Sequence, residues 1–250
     1  MKNNILKYFI LILSVLVILT VYLSTVGIET DKFNDQIKKR ISLINKKIDI
    51  DLKKIKLILD PFKLKIYAET LGTTVYFSKR PLALESIKTQ VSISSLIKNK
   101  ISSSNIEVTT KSILLNDLIK FIRTTNNKPE LFILEKIVKK GHVIIDLSLN
   151  IDENGKLKND YIIEGLIKDA SINFLDRANF KNINFNFNLQ KDNYYFDEIN
   201  FKSEEVNFIS KKINVKNKKN SFLIDAIVEN NQTSLNSNIL KLLNVSFENI

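Results

Sequence analysis

Between Asn182 and Leu189 the chain alternates without exception: Ile183, Phe185, Phe187 and Leu189 are apolar, and Asn182, Asn184, Asn186 and Asn188 are amides. Successive side chains of a strand point to opposite faces, so this stretch is predicted to be a strand with one apolar face and one amide face. A helix would scatter both kinds around its circumference. The same period of two runs through Ile145, Leu147, Leu149 and Ile151, which alternate with Asp146, Ser148 and Asn150. Asn154-Gly155, just beyond, is a strong hairpin-turn signal. Further strands are predicted near 157–168, 171–174, 193–201, 205–209, 212–216 and 221–229.

The first half shows the period as well. Ile48, Ile50 and Leu52 alternate with Asp49 and Asp51, and after Lys53-Lys54 the phase resumes at Ile55, Leu57 and Leu59. A slip of one residue signals a bulge or a change of strand. Asp60-Pro61 marks a turn. Phe62, Leu64, Ile66 and Ala68 then alternate with Lys63, Lys65 and Tyr67, and more strands are predicted near 73–79, 83–93 and 105–110.

Helical spacing is confined to a few places. Phe33, Ile37, Ile41 and Ile44 form one stripe over 30–47, with Thr30 or Asp31 as the N-cap. Such a helix either lies on a bilayer or plugs a sheet end, or packs on its own domain. Short helices are also predicted near 94–99 and 115–124, the second from Leu115, Leu118, Ile119 and Ile122. The stretch "NSNILKLLNVSF" reads as a short helix followed by an extended tail.

From Tyr8 to Ile28 the chain carries no charge. As a helix this run would measure about 31 Å, against a hydrocarbon core of about 30 Å. It is longer than a signal-peptide core and has no small-x-small cleavage site, which makes it an uncleaved anchor. Lys2 and Lys7 lie on one side, and Lys32, Lys38, Lys39 and Arg40 on the other, diluted by Glu29, Asp31 and Asp35. The positive-inside rule therefore gives little orientation.

The break "TTNNKP" at 124–129 divides the chain beyond the anchor. The predicted organisation is a transmembrane anchor over 1–29, an amphipathic helix over 30–47, a β-rich segment over 48–125 and a second over 126–250. The fold class is mainly antiparallel β. A porin-type barrel is not favoured, because no aromatic girdle is present.

Composition narrows the chemistry. There is no Cys, a single His and a net charge of +11, carried almost wholly by Lys. Thiolate metal sites and cysteine nucleophiles are excluded. His142 alone supplies no zinc ligand set, and no G-x-S-x-G elbow or phosphate-binding glycine loop occurs. No metal, cofactor or enzymatic activity is therefore expected. Arg occurs only at 40, 80, 123 and 177, and nothing resembles a nucleic-acid-binding signature. The basic run "KKINVKNKK" over 211–219 reads as lysines guarding a strand against edge pairing, or as a contact for anionic headgroups.

Several stretches together resemble the AsmA-like family of bacterial envelope proteins, relatives of TamB and YhdP and of the bridge-like lipid-transfer proteins. The anchor at 8–28 leads directly into the helix at 30–47. "IDIDLKKIKLILDPFKLKIYAETLG" over 48–72 is similar to the family's first strands. "VSISSLIKNKISSSNIEVTTKSI" over 91–113 is similar to the family's next strand, short helix and strand. "KNDYIIEGLIKDASINF" over 158–174 resembles a repeated groove unit. The resemblance implies a single-pass protein of the bacterial inner membrane, with its N-terminus cytoplasmic and its body periplasmic. It implies an elongated, twisted antiparallel sheet curled into a groove whose apolar side holds phospholipid or other acyl chains, in outer-membrane lipid homeostasis. About a dozen strands at about 4.8 Å each would make a groove of only about 60 Å, too short to bridge an envelope alone.

A one-sided sheet must cover its apolar face, and a second sheet or lipid tails would do so equally well by burial energy. The lipid reading assigns Ile145, Leu147, Leu149, Ile151, Ile183, Phe185, Phe187 and Leu189 to a lipid-facing groove. The partners expected are acyl lipid, the inner membrane and other envelope proteins. The alternative is a structural or assembly factor for outer-membrane protein biogenesis that conducts no lipid.

Overall fold

The structure, a computed structural model, describes residues 2–44, 46–94, 104–126, 128–152, 158–174, 178–203, 206–218 and 221–230. It is mainly β, with antiparallel strands and a few helices. The chain divides into two compact units, one of residues 1–76, 83–108 and 148–159, the other of residues 77–82, 109–147 and 160–250.

The first unit opens with helix α1, Lys2–Thr25. Its stretch Leu6–Thr25 is long and apolar enough to cross a membrane, and none of it is buried. Gly27, at φ +75°, ends the helix, and its N–H bonds back to the Tyr22 carbonyl. Any Cβ there would meet the Leu57 carbonyl oxygen at 2.4 Å, so only glycine lets the chain turn this close to the sheet.

The chain then enters strand β1, Ile28–Thr30, and helix α2, Asn34–Ile44. Helix α2 sits against strand β2, Ile48–Asp51, and the Asn34 amide donates to the Leu52 and Lys53 carbonyls. The phase slip at Lys53-Lys54 is a change of strand: β3, Ile55–Asp60, pairs with β1 and with β4, Lys65–Leu71. The predicted turn at Asp60-Pro61 is present, closed by the Asp60 carboxylate accepting the Lys63 N–H at 3.0 Å. Strands β5, Thr74–Phe77, and β6, Arg80–Ser92, flank Ser78 and Lys79, both at positive φ as a two-residue hairpin requires. Strand β7, Ser104–Thr110, comes next. The helix predicted near 94–99, the Asn154-Gly155 turn and the C-terminal helix all lie outside the described residues.

The second unit is built on a meander. Strand β8, Ile113–Leu114, leads into helix α3, Leu115–Thr125, and then helix α4, Pro129–Ile137. The sequence pattern announces α3 but not α4, whose apolar residues lie on several sides. Strands β9, Val138–Ile151, β10, Ile162–Phe174, β11, Ala178–Gln190, β12, Asn193–Ser203, β13, Val206–Lys218, and β14, Ser221–Ala226, then succeed one another. Each hydrogen-bonds to the next. The two-residue strand β15, Glu229–Asn230, pairs back onto β13. Ile119 of α3, Ile137 of α4 and Val138 of β9 form a buried cluster with Leu115 and Ile172 against it. Helices therefore cover part of one face of the meander.

Two predicted breaks are absent. Ile162–Phe174 is one continuous strand, β10, rather than two meeting near 170, and Val206–Lys218 is one continuous strand, β13, rather than two meeting near 211. What the pattern marks there is a doubling of outward residues inside a continuous strand. Lys139-Lys140, Lys168-Asp169, Lys181-Asn182, Asp197-Glu198 and Lys211-Lys212 each stand between two residues of the opposite face. Asp169, Asn182 and Glu198 take positive φ, and the register of β10 with β11 and of β11 with β12 shifts at this level. Where the register shifts, at Lys168-Asp169 and Lys181-Asn182, these are bulges, which bend a strand and increase its twist without ending it, whereas β13 keeps one register with β12 through Lys211-Lys212. Just inside these doubled pairs Gly141, Ala170, Ile183, Ile199 and Ser210 are each buried.

Candidate functional site

The register gathers Phe180, Phe187, Leu189 and Phe196 on one face, while Ile162, Leu166 and Tyr195 lie on the other, opposite Gln190, Asn186 and Asn188. Ile163 pairs with Leu189, Leu189 with Tyr194 and Tyr194 with Val215. The next row is Gly165, Phe187, Phe196 and Ile213. Beyond the bulges comes Ile172, Phe180, Ser203 and Val206. Phenylalanines join the rows diagonally. Phe185 meets Phe187 at 6.3 Å and Phe196 at 5.7 Å, both edge-to-face. Phe201 meets Phe180 at 5.7 Å and stacks on Phe208 at 5.1 Å. Such geometries each contribute about 0.5–1.5 kcal/mol beyond the area they bury.

Gly165 makes room for this arrangement. A Cβ at that position would lie 2.7 Å from the Phe187 ring and 2.2 Å from the Ile144 carbonyl oxygen. The ring fills the gap that the glycine leaves across the strand pair. Ile183 and Phe187 are each only 8% exposed, whereas Phe185 and Leu189 are half-buried. Ile145 and Leu147 of β9 are half-buried on the same side as Val143, and Leu149 and Ile151 continue the alternation in the part of β9 that belongs to the first unit.

On the opposite face β11 presents an amide row that bonds to polar neighbours. The Asn184 amide donates to Asn200 at 2.9 Å and that of Asn186 to Glu198 at 2.9 Å. Asn188 donates to Glu164, and the Gln190 amide to Asn188 at 3.2 Å. Asn184 also accepts the Asp169 N–H at 2.9 Å, tying the amide row to the neighbouring bulge. The alternation at 182–190 thus separates a ring-lined surface from an amide ladder across a single layer of backbone.

The chemistry of the apolar face is non-directional contact. Among the described residues no group of three or more His, Cys, Asp or Glu is placed to hold a metal ion. His142 is exposed, and its strand position pairs with Leu114.

A second apolar feature, in the first unit, is not singled out by the sequence pattern. A cleft of about 590 Å³ lies between α1 and the tip of the β3–β4 hairpin. Its one sequence signal is Phe62 and Leu64, two large apolar residues in a turn where polar ones are the rule.

The fold defines a class, a mainly β protein with an N-terminal helix apolar and long enough to span a membrane. Comparison of the chain with protein-family models, with curated proteins and with solved structures finds no match.

Proposed function

We propose that the protein is a membrane-anchored, AsmA-like lipid-binding protein of the bacterial envelope. In this reading α1 is held in the inner membrane and the strands lie in the periplasm. The apolar face of β9 to β13 forms the floor of a groove that holds or conducts phospholipid acyl chains. The observation that carries the reading is the one-sidedness of β11: phenylalanine and branched aliphatic residues on one face, an amide row bonded to β10 and β12 on the other. Burying a methylene on such a surface is worth about 0.8 kcal/mol, and no polar anchor must break for a chain to slide. The bulges at Asp169, Asn182 and Glu198 support a curved floor, since bulges on adjacent strands bend them together.

The test is the lipid itself. Full-length protein purified in a detergent-free polymer should carry phospholipid detectable by mass spectrometry, and Phe185→Asp should lower it several-fold. A photo-crosslinker at Phe185 should give lipid adducts. Adducts to envelope proteins, with no lipid bound by the wild type, would replace this reading with an assembly factor for outer-membrane proteins.

A further inference from the structure

We propose that the tip of the β3–β4 hairpin enters the lipid leaflet beside α1, and that the cleft between them seats an acyl chain of a bilayer lipid. The inference rests on α1 spanning a bilayer and is independent of the apolar face of the second unit.

The geometry begins at Gly27. Beyond it, β1 pairs antiparallel with β3, Ile28 opposite Leu57 and Thr30 opposite Ile55. The far end of β3 therefore runs back along the helix it came from. The resulting cleft is lined on one side by α1 from Leu13 to Thr25 and on the other by the hairpin from Ile58 to Phe62, Asp60 included, with Tyr67. That stretch of helix is about 18 Å long at about 1.5 Å per residue, more than half of a hydrocarbon core of about 30 Å. If α1 crosses a membrane, the hairpin tip beside it is at membrane depth too.

The tip has the side chains for that environment. Phe62 is 97% exposed and Leu64 is 61% exposed. Leu64 also holds φ +50°, a left-handed conformation that costs a non-glycine residue about 1–2 kcal/mol. In water this turn would expose two large apolar groups from a strained backbone. In hydrocarbon the same exposure becomes favourable contact. Lys63 is exposed beside them. The Asp60 carboxylate is engaged by the turn's own N–H.

The occupant follows from the walls. One wall is the surface of α1 itself, none of which is buried by protein, so whatever solvates α1 also fills the cleft. In a bilayer that is an acyl chain. The volume falls within the range of about 300–1,000 Å³ typical of small-ligand sites.

The chain contains no Trp, so a single introduced one reports on its own position. Full-length Phe62→Trp and Leu16→Trp proteins would be reconstituted in phosphatidylcholine–phosphatidylglycerol vesicles whose acyl chains carry bromine. Both should show blue-shifted emission and at least about twofold quenching relative to unbrominated vesicles. Quenching at position 16 with water-like, unquenched emission at position 62 overturns the hairpin inference and leaves the anchor intact. No quenching at either position overturns both. A photo-crosslinker at Leu59, inside the cleft, should yield lipid adducts, and adducts confined to protein would overturn the acyl-chain seat. Neither readout depends on lipid at Phe185, so the groove reading and this one fail separately.

Discussion

Three residues of β10 and β11 show how sharply this sheet is specified. Gly165 and Phe187 are complementary, and either change should be felt. Gly165→Ala should destabilise by about 2 kcal/mol through overpacking, and Phe187→Ala by about 3 kcal/mol through loss of a buried ring. Urea titration of the full chain in detergent, followed by circular dichroism, measures both. Asn182 holds φ +51°, which an amide side chain tolerates and a β-branched one does not. Asn182→Val should therefore cost about 1–2 kcal/mol in the same titration, while Asn182→Gly should cost nothing or stabilise slightly. The alternation of Ile183, Phe185, Phe187 and Leu189 with the amides of β11 was legible, because a period of two encodes facing directly. The degree of burial was not. Ile183 and Phe187 are buried while Phe185 and Leu189 are half-buried, and that difference depends on neighbours such as Gly165 on other strands.

At the scale of elements, one signal had two outcomes. Two adjacent outward residues ended a strand at Lys53-Lys54 and bulged it at Lys168-Asp169 and Lys181-Asn182. The local sequence is the same in kind, and what decides is the partner strand. β2 and β3 pair with different strands, whereas β10 keeps β11 through the slip. No single segment contains that information. Helix α4 escapes the pattern for a related reason, since its apolar residues Phe132, Ile133 and Leu134 face several directions and lack one stripe. It is held to α3 by the Arg123–Glu135 ion pair, with the Arg123 guanidinium 5.6 Å from the Phe132 ring centre. A double-mutant cycle of Arg123→Ala and Glu135→Ala should return a coupling of about 1 kcal/mol, and Phe132→Ala should reduce it.

For the whole molecule, the apolar run of α1 was the most legible feature, because length and absence of charge are properties of sequence alone. Leu13→Lys with Val17→Lys should add about 5–7 kcal/mol to insertion at the helix centre. Alkaline carbonate washing should then release the double variant, while the wild type stays with the membrane pellet. The doubled outward pairs of β9 to β13 carry a different consequence. Because each pair holds one residue more than strict alternation needs, one member can be excised from every strand together without turning any side chain inside out. Taking out Lys140, Asp169, Asn182, Glu198 and Lys211 would restore strict alternation while leaving each side chain on its own side, so comparing the lipid held before and after would ask whether the proposed groove depends on these slips.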